Sequence, residues 1–359
     1  MPPARFAAVS LATRLTKLVE EAERCAATPD PDAVHDLRVA IRRFSQALRI
    51  FRTLVDAKAV KQMRRALKRV MDAAAAVRDL DVGMERLIGE GLPPEHAVLD
   101  RMRSERRRGE MALCGWLLLL QSEEPESAWR PCLEARPAKG AGARARVKKS
   151  RTVDWNVAIN TGANARHALP GLAQEFFALG RAAAAPGASP AELHAFRLAA
   201  KRFRYTLELF LPLYGPRLAG RVDQVRKIQS LLGDRQDCVV LGERLKKEDG
   251  PPAALHATLQ KLNADGSAIE EKFRRHWHGT FDAAGEEAAW TRYLSRRQPA
   301  PRSALGGVPA RLLSGTAPMR PQISAPLPMQ PAASGPPENS KRTSPRRRAL
   351  DLERLPIHK

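Results

Sequence analysis

Two stretches of this chain carry the same pattern, a histidine followed at helical intervals by arginines and lysines. The first runs His35-Asp36-Leu37-Arg38-Val39-Ala40-Ile41-Arg42-Arg43-Phe44, and 159 residues later comes His194-Ala195-Phe196-Arg197-Leu198-Ala199-Ala200-Lys201-Arg202-Phe203. On a helix at about 100° per residue, His35, Arg38, Arg42 and Arg49 fall within about 60° of one another. Leu37, Ala40, Ile41, Phe44, Ala47, Leu48 and Phe51 occupy the opposite arc. Such a helix is anchored by one face and presents a row of positive charge on the other. Cations at i, i+3 or i+4, and i+7 recur every ~5 Å, which suits a linear polyanion. Arginine offers bidentate forks to phosphate oxygens and lysine a point charge. A neutral imidazole donates one hydrogen bond, and a second once it gains a proton. On that basis affinity for an anion is expected to rise as pH falls from about 7.5 to 6, near the reference histidine pKa.

The anion-binding residues read from these rows are His35, Arg38, Arg42, Arg43 and Arg49 in the first half, joined by Lys61, Arg65 and Lys68 from a second cationic face. In the second half they are His194, Arg197, Lys201, Arg202, Arg204 and Tyr205, with Arg226 and Lys227 in a sparser counterpart of that face. Several neighbours allow two readings. Asp79, Asp81, Asp234 and Asp237 either form a carboxylate metal site or, as the expectation preferred here, pair with the cations and orient them. Arg78 either contacts ligand or serves a structural ion pair. Tyr205 either adds a hydroxyl to the site or is buried as a core edge. Glu208 is assigned to holding Arg204. In His276-Trp277-His278 the i, i+2 spacing puts the imidazoles on different faces, so the trio reads as core packing. No His, Cys and Asp cluster stands at metal-ligand spacing around either ladder histidine, so no metal or other cofactor is expected.

The elements that position these rows announce themselves. Asp30-Pro31-Asp32 is a helix start with an N-cap followed by proline at the first helical position. Ser189-Pro190-Ala191-Glu192 is the same device, completed as a capping box. In both copies the histidine falls at the fifth helical position. Downstream lie matching elements, Arg78-Asp79-Leu80-Asp81-Val82 and Leu232-Gly233-Asp234-Arg235-Gln236-Asp237. From Ala7 to about Leu120 the apolar spacing is helical throughout. The longest apolar run, Met111 to Leu120, is too short to span a bilayer and predicts a buried helix.

Composition bounds the rest. The chain has 359 residues, 43 % of them hydrophobic, and a formal net charge of +22. That charge favours nucleic acid, anionic lipid or polyphosphate as partner. Aromatics are only 5 %, which counts against single-strand recognition by base stacking. Cys25, Cys114, Cys132 and Cys238 form no Cys-x-x-Cys pair and read as reduced thiols of a cytosolic protein. The N-terminus lacks an uninterrupted apolar stretch of the kind a secretory signal needs, so a soluble cytoplasmic protein without membrane association is expected. Residues 121–165 gather Pro, Gly and Ser around the basic run Arg144-Arg146-Lys148-Lys149-Arg151, and read as a connecting loop with room for one short helix. Residues 299–359 hold 12 of the 28 prolines and no Phe, Trp or Tyr, and read as a disordered basic tail.

The paired His-x-x-Arg-x-x-x-Arg/Lys-Arg helices, with Arg78 to Val82, Lys201 to Glu208 and Leu232 to Asp237, resemble the CHAD family of conserved-histidine α-helical domains. The resemblance covers residues 5 to 297. It departs at Ala74-Ala75, where the family tends to have Leu-Gly, and in the long tail. It implies an all-α fold in a domain spanning 1–297, built as two pseudo-twofold-related four-helix bundles. The first repeat spans about 5–120, the connecting loop about 121–165 and the second repeat about 166–297, followed by the tail at 298–359. It also implies a basic central cavity that binds inorganic polyphosphate, and an association with polyphosphate granules. No Glu-x-Glu-x-Lys strand signature of a triphosphate tunnel enzyme is present, so the stand-alone, non-enzymatic form is expected. The alternatives are an RNA-binding protein, with nonspecific nucleic-acid contacts, and a metal-dependent phosphohydrolase.

Overall fold

A computed structural model describes residues 1–134, 153–247 and 253–296. Among them lie ten α-helices and no β-strand: α1 (Pro3–Ala27), α2 (Pro31–Ile50), α3 (Ala57–Gly89), α4 (Ala97–Ser122), α5 (Pro125–Leu133), α6 (Thr161–Ala184), α7 (Pro190–Tyr214), α8 (Pro216–Leu245), α9 (Ala253–Thr280) and α10 (Glu286–Ser295). The basic run at 144–151 and the tail at 299–359 lie outside the described residues.

Both ladder helices start as their sequences dictate. The Asp30 carboxylate accepts from the backbone N–H groups of Asp32 and Ala33, with Pro31 at the first helical position. Ser189 caps α7 in a complete capping box with Glu192, followed by Pro190. Each cap satisfies N–H donors that the first helical turn leaves without partners. His35 and His194 are thereby fixed one turn inside their helices.

The helices recur in two runs of five with the same order of neighbours. α1 packs on α2, α2 on α3, and α3 on α4, while α1 also touches α4 and α5; α6 to α10 repeat every one of these pairings. The short α5 and α10 add a fifth helix to each expected four-helix set. α5 and the first turn of α6 both fall within the stretch read as a loop.

Of the helix pairs that join the runs among the described residues, α2 with α7 and α3 with α8 make the broadest contacts. A large core links both runs. Its first-half part is mainly aliphatic, with Leu11, Leu15, Leu113 and Leu117 fully buried. The second-half part is aromatic: Phe176, Phe177, Phe196, Phe203, Trp277, Phe281 and Trp290 form a continuous set of ring contacts with centroids about 5–6 Å apart. Gly180 is what admits Trp277, because a Cβ there would lie 1.9 Å from the indole. A second, smaller core joins Leu80, Leu87, Leu99 and Met102 to Leu241, Leu245, Leu255 and Leu262. Here α3 meets α8 at Gly83, where a Cβ would stand 2.9 Å from the Leu241 side chain.

The expectation for Met111 to Leu120 needs correction. Leu113, Leu117 and Leu120 are buried, but Met111, Leu118 and Leu119 are exposed. A run apolar on every side of a helix was read as a helix surrounded by core, whereas α4 covers the core with one face only.

Candidate functional site

α2 and α7 meet through a polar seam in their C-terminal halves. The Gln46 amide donates to the Thr206 hydroxyl at 2.9 Å in a buried hydrogen bond. The Arg43 guanidinium donates to the Glu208 carboxylate at 3.1 Å, and Arg204 reaches the other carboxylate oxygen at 3.5 Å. Arg14 adds a third cation, its pKa pushed down by burial to about 10 despite the attraction of Glu208. This seam lies on one side of the ladders, and the Gly83–Leu241 contact lies beyond Asp79 and Asp237 on the other. Between these ties α2 and α7 bring their ladder cations together.

Arg38 is the most engaged member of the first row. One of its terminal nitrogens donates to the carbonyl oxygens of Ala74 and Ala75 at 3.3 and 3.1 Å and lies 3.3 Å from an Asp79 carboxylate oxygen. The small side chains of α3 at 74 and 75 leave those carbonyls within reach of a guanidinium. Arg78 donates to the Pro31 carbonyl at 3.4 Å, tying α3 to the start of α2. The role is structural but runs through a carbonyl rather than the ion pair expected, and its charge also bears on His35. Burial, and then Arg78, hold the His35 imidazole below its ordinary pKa.

Arg42, Arg197 and Lys201 are different. All three are half-buried, and among the described residues none lies within ion-pair distance of a carboxylate. The Arg197 Nε is buried with no hydrogen-bond partner. Burial lowers the Arg197 pKa, Asp237 and Asp79 oppose that shift, and Arg42 adds to it. The Lys201 ammonium is pushed from its ordinary 10.5 to about 7, by burial first and then by Arg42, Arg197 and Arg38, against the pull of Asp237. Cations from both five-helix runs therefore share one electrostatic environment, and they repel. Asp237 sits among them half-buried, its carboxyl pushed up to about 6 by burial and by Asp234 and Asp79.

The remaining expected residues divide. His194 is exposed, as are Lys61 and Arg65 on α3. Lys61 and Lys68 fall within about 20° of Asp79 on the α3 wheel, so that face continues the track past Arg38. Lys68 is ion-paired to Asp72 and Arg226 to Asp223 at the surface. Arg49 and Arg202 are half-buried and Lys227 is exposed. Arg43 and Arg204, expected as ligand contacts, are instead both held in the seam by Glu208, because α7 carries its carboxylate one turn beyond Arg204 at the crossing with α2. Tyr205 is buried, with the Arg204 guanidinium 4.6 Å from its ring centroid, so the core-edge reading holds. Asp79 pairs with a ladder cation as expected. Asp81 does not: it accepts from Arg106 at 2.8 Å. Arg106, which also donates to the Pro29 carbonyl, was not singled out, nor were Arg14, Gln46 and Thr206. The i, i+4 pair of Arg204 and Glu208 was the one sequence signal of the seam; Gln46 and Thr206 gave none. Trp277 is core, as its motif suggested, while His278 contacts Asp282 at the surface.

Among the described residues no three His, Cys, Asp or Glu side chains gather as metal ligands do, and no helix is long and apolar enough to cross a membrane. The geometry supplies concentrated, poorly neutralised positive charge between two duplicated helices. A family model described as the CHAD domain matches residues 10–246. The chain belongs to the CHAD domain family. Among solved structures it is similar to the CHAD domain from the plant Ricinus communis, with a TM-score of 0.53, 18 % identity, and coverage of 83 % of this chain and 94 % of that one. It is also similar to PptA from Streptomyces chartreusis, with a TM-score of 0.51, 20 % identity, and coverage of 78 % of this chain and 99 % of that one. Such identities carry the fold alone. No curated protein matches. Within the CHAD domain match lie both histidines, both ladders and both trailing aspartate elements.

Proposed function

We propose that this CHAD domain protein binds inorganic polyphosphate without hydrolysing it, in the cytoplasm and at polyphosphate granules. The observation that carries the reading is the meeting of Arg42, Arg197 and Lys201 with no carboxylate at ion-pair distance among the described residues. Assembling half-buried cations without counter-charge costs free energy, and a bound polyanion offsets that cost. Arg38 and Asp237 frame the cluster, and Lys61 and Arg65 extend the positive track along α3. Polyphosphate carries about one negative charge per phosphate at a spacing close to a helical turn, so successive phosphates match successive cations.

Arg38 is bound to α3 carbonyls, so reversing its charge also disturbs the fold. The cleaner test replaces Arg42→Gln, Arg197→Gln and Lys201→Met together, and titrates wild type and variant with polyphosphates of defined length. The variant is expected to lose binding with unchanged helical circular dichroism; retained affinity would sink this surface as the site. Wild-type affinity is expected to fall steeply with salt through counterion release. Long-chain polyphosphate should displace labelled RNA far better than RNA displaces polyphosphate, and phosphate release with Mg²⁺ or Mn²⁺ would point to a hydrolase instead.

A further inference from the structure

The outer face of α4 carries an apolar stripe that the fold does not use. Met111, Leu118 and Leu119 are 67, 64 and 56 % exposed. Ala112 and Gly115 complete the stripe at helical spacing and are exposed as well. The opposite face, Leu113 and Leu117, is fully buried in the core.

The second five-helix run provides an internal control. In α9, Phe273 and Trp277 are fully buried and stand where Leu113 and Leu117 stand in α4. Counted from those anchors, the exposed α9 positions matching Met111, Ala112, Gly115 and Leu118 are Glu271, Lys272, Arg275 and His278. The architecture is thus satisfied by a charged outer face, and one copy has replaced it with an apolar one.

The ends of the stripe identify what fits it. Arg107 and Arg108 stand about two turns before Gly115, and Ser122 and Glu123 about two turns after it. Arg107 donates to Ser104, and neither arginine is ion-paired among the described residues. Laid antiparallel on itself about Gly115, the helix puts Arg107 opposite Glu123, Arg108 opposite Ser122, Met111 opposite Leu119, and Ala112 opposite Leu118. Large residues then face large or small ones, and opposite charges meet at both ends. At Gly115 a Cβ would find nothing within 4 Å. The absence of a side chain there is not needed inside the protomer, and it costs an exposed helix interior about 1 kcal/mol relative to alanine. It does permit close approach of a second helix.

We infer that this chain forms a homodimer through antiparallel pairing of α4 with its counterpart in a second copy, with Gly115 on the twofold axis. Such an interface is isologous, so each contact occurs twice and each substitution counts twice. The test is sedimentation equilibrium of the full chain without polyphosphate, over about 1–100 µM at ~0.15 M salt. Wild type is expected to dimerise, and Leu118→Glu to weaken dimerisation about a hundredfold or more, since two charges enter the apolar centre. Arg107→Glu is expected to weaken the dimer about tenfold, and adding Glu123→Arg to restore it. Gly115→Cys, in a Cys114→Ala, Cys132→Ser background, is expected to cross-link to itself on oxidation. A monomer throughout the range, a dimer indifferent to Leu118→Glu, or a charge swap that fails to restore association would each overturn the pairing.

Discussion

Lys201 offers the sharpest test of the polyphosphate reading. Its ammonium has been driven from 10.5 to about 7 in the free protein, so at pH 8.5 only ~3 % carries the charge and at pH 6.5 about three-quarters does. A phosphate against it stabilises the protonated form and returns its pKa toward the ordinary value. The sign follows from proton uptake: where the free protein has lost that proton, binding must regain it. Affinity therefore rises as pH falls through 7 and levels off below about 6.5. With a bound-state pKa near 10.5, binding at pH 6.5 is about 25-fold tighter than at pH 8.5 from this one group. Asp237, raised to about 6, acts in the same direction at the acidic end, because its protonation removes a competing negative charge. His35 is also held below its ordinary value in the free protein, by burial and then by Arg78, and a proton it gained against phosphate would act in the same direction. Isothermal titration with a defined polyphosphate at half-unit pH steps measures the profile. Lys201→Arg keeps the charge throughout the range and should flatten it, leaving affinity at pH 8.5 close to that at 6.5. His35→Gln should leave the step near pH 7 in place. A full step surviving in Lys201→Arg would refute the assignment.

Other expectations concern the frame around the cluster. Gly180→Ala drives a methyl group into the Trp277 ring at 1.9 Å and should cost about 3 kcal/mol, whereas Gly220→Ala in α8, with nothing within 4 Å of its Cβ, should stabilise by up to ~1 kcal/mol; paired thermal melts compare them. Glu208→Ala leaves Arg43 and Arg204 without their shared carboxylate, and denaturant unfolding should register a loss of about 3 kcal/mol. Asp30→Ala removes the cap that accepts from two α2 N–H groups, and chemical denaturation should show a cost of about 1 kcal/mol.

The helical start signals were fully legible because capping is local. Asp30-Pro31 and Ser189-Pro190 need only their own next few residues to fix where α2 and α7 begin, and hence where each histidine stands. The ladders were legible for the same reason, since i, i+3 and i+4 positions share a helix face whatever lies around it. Legibility ended where a side chain's fate depends on another element. Arg42 and Arg43 are consecutive and about 100° apart on the helix, and nothing within α2 says that Arg43 ends in an ion pair with Glu208 on α7 while Arg42 does not. Glu208 itself was legible only as a partner for Arg204 on its own helix. The apolar run at Met111 to Leu120 failed similarly: periodicity reports that residues are apolar, not how many faces of the helix find partners.

By itself, then, the sequence determined an all-α chain with a duplicated, capped, cation-bearing helix, because those properties are set within a few turns of backbone. Only the tertiary structure decided which cations are neutralised. That choice is made by contacts between residues some 160 positions apart, Gln46 with Thr206 and Arg43 with Glu208. The crossing they create seats Glu208 in the seam. Before it along α7 and beside it on α2, Arg197, Lys201 and Arg42 are left in one another's electrostatic field, where burial strengthens their repulsion and the pull on any anion that relieves it.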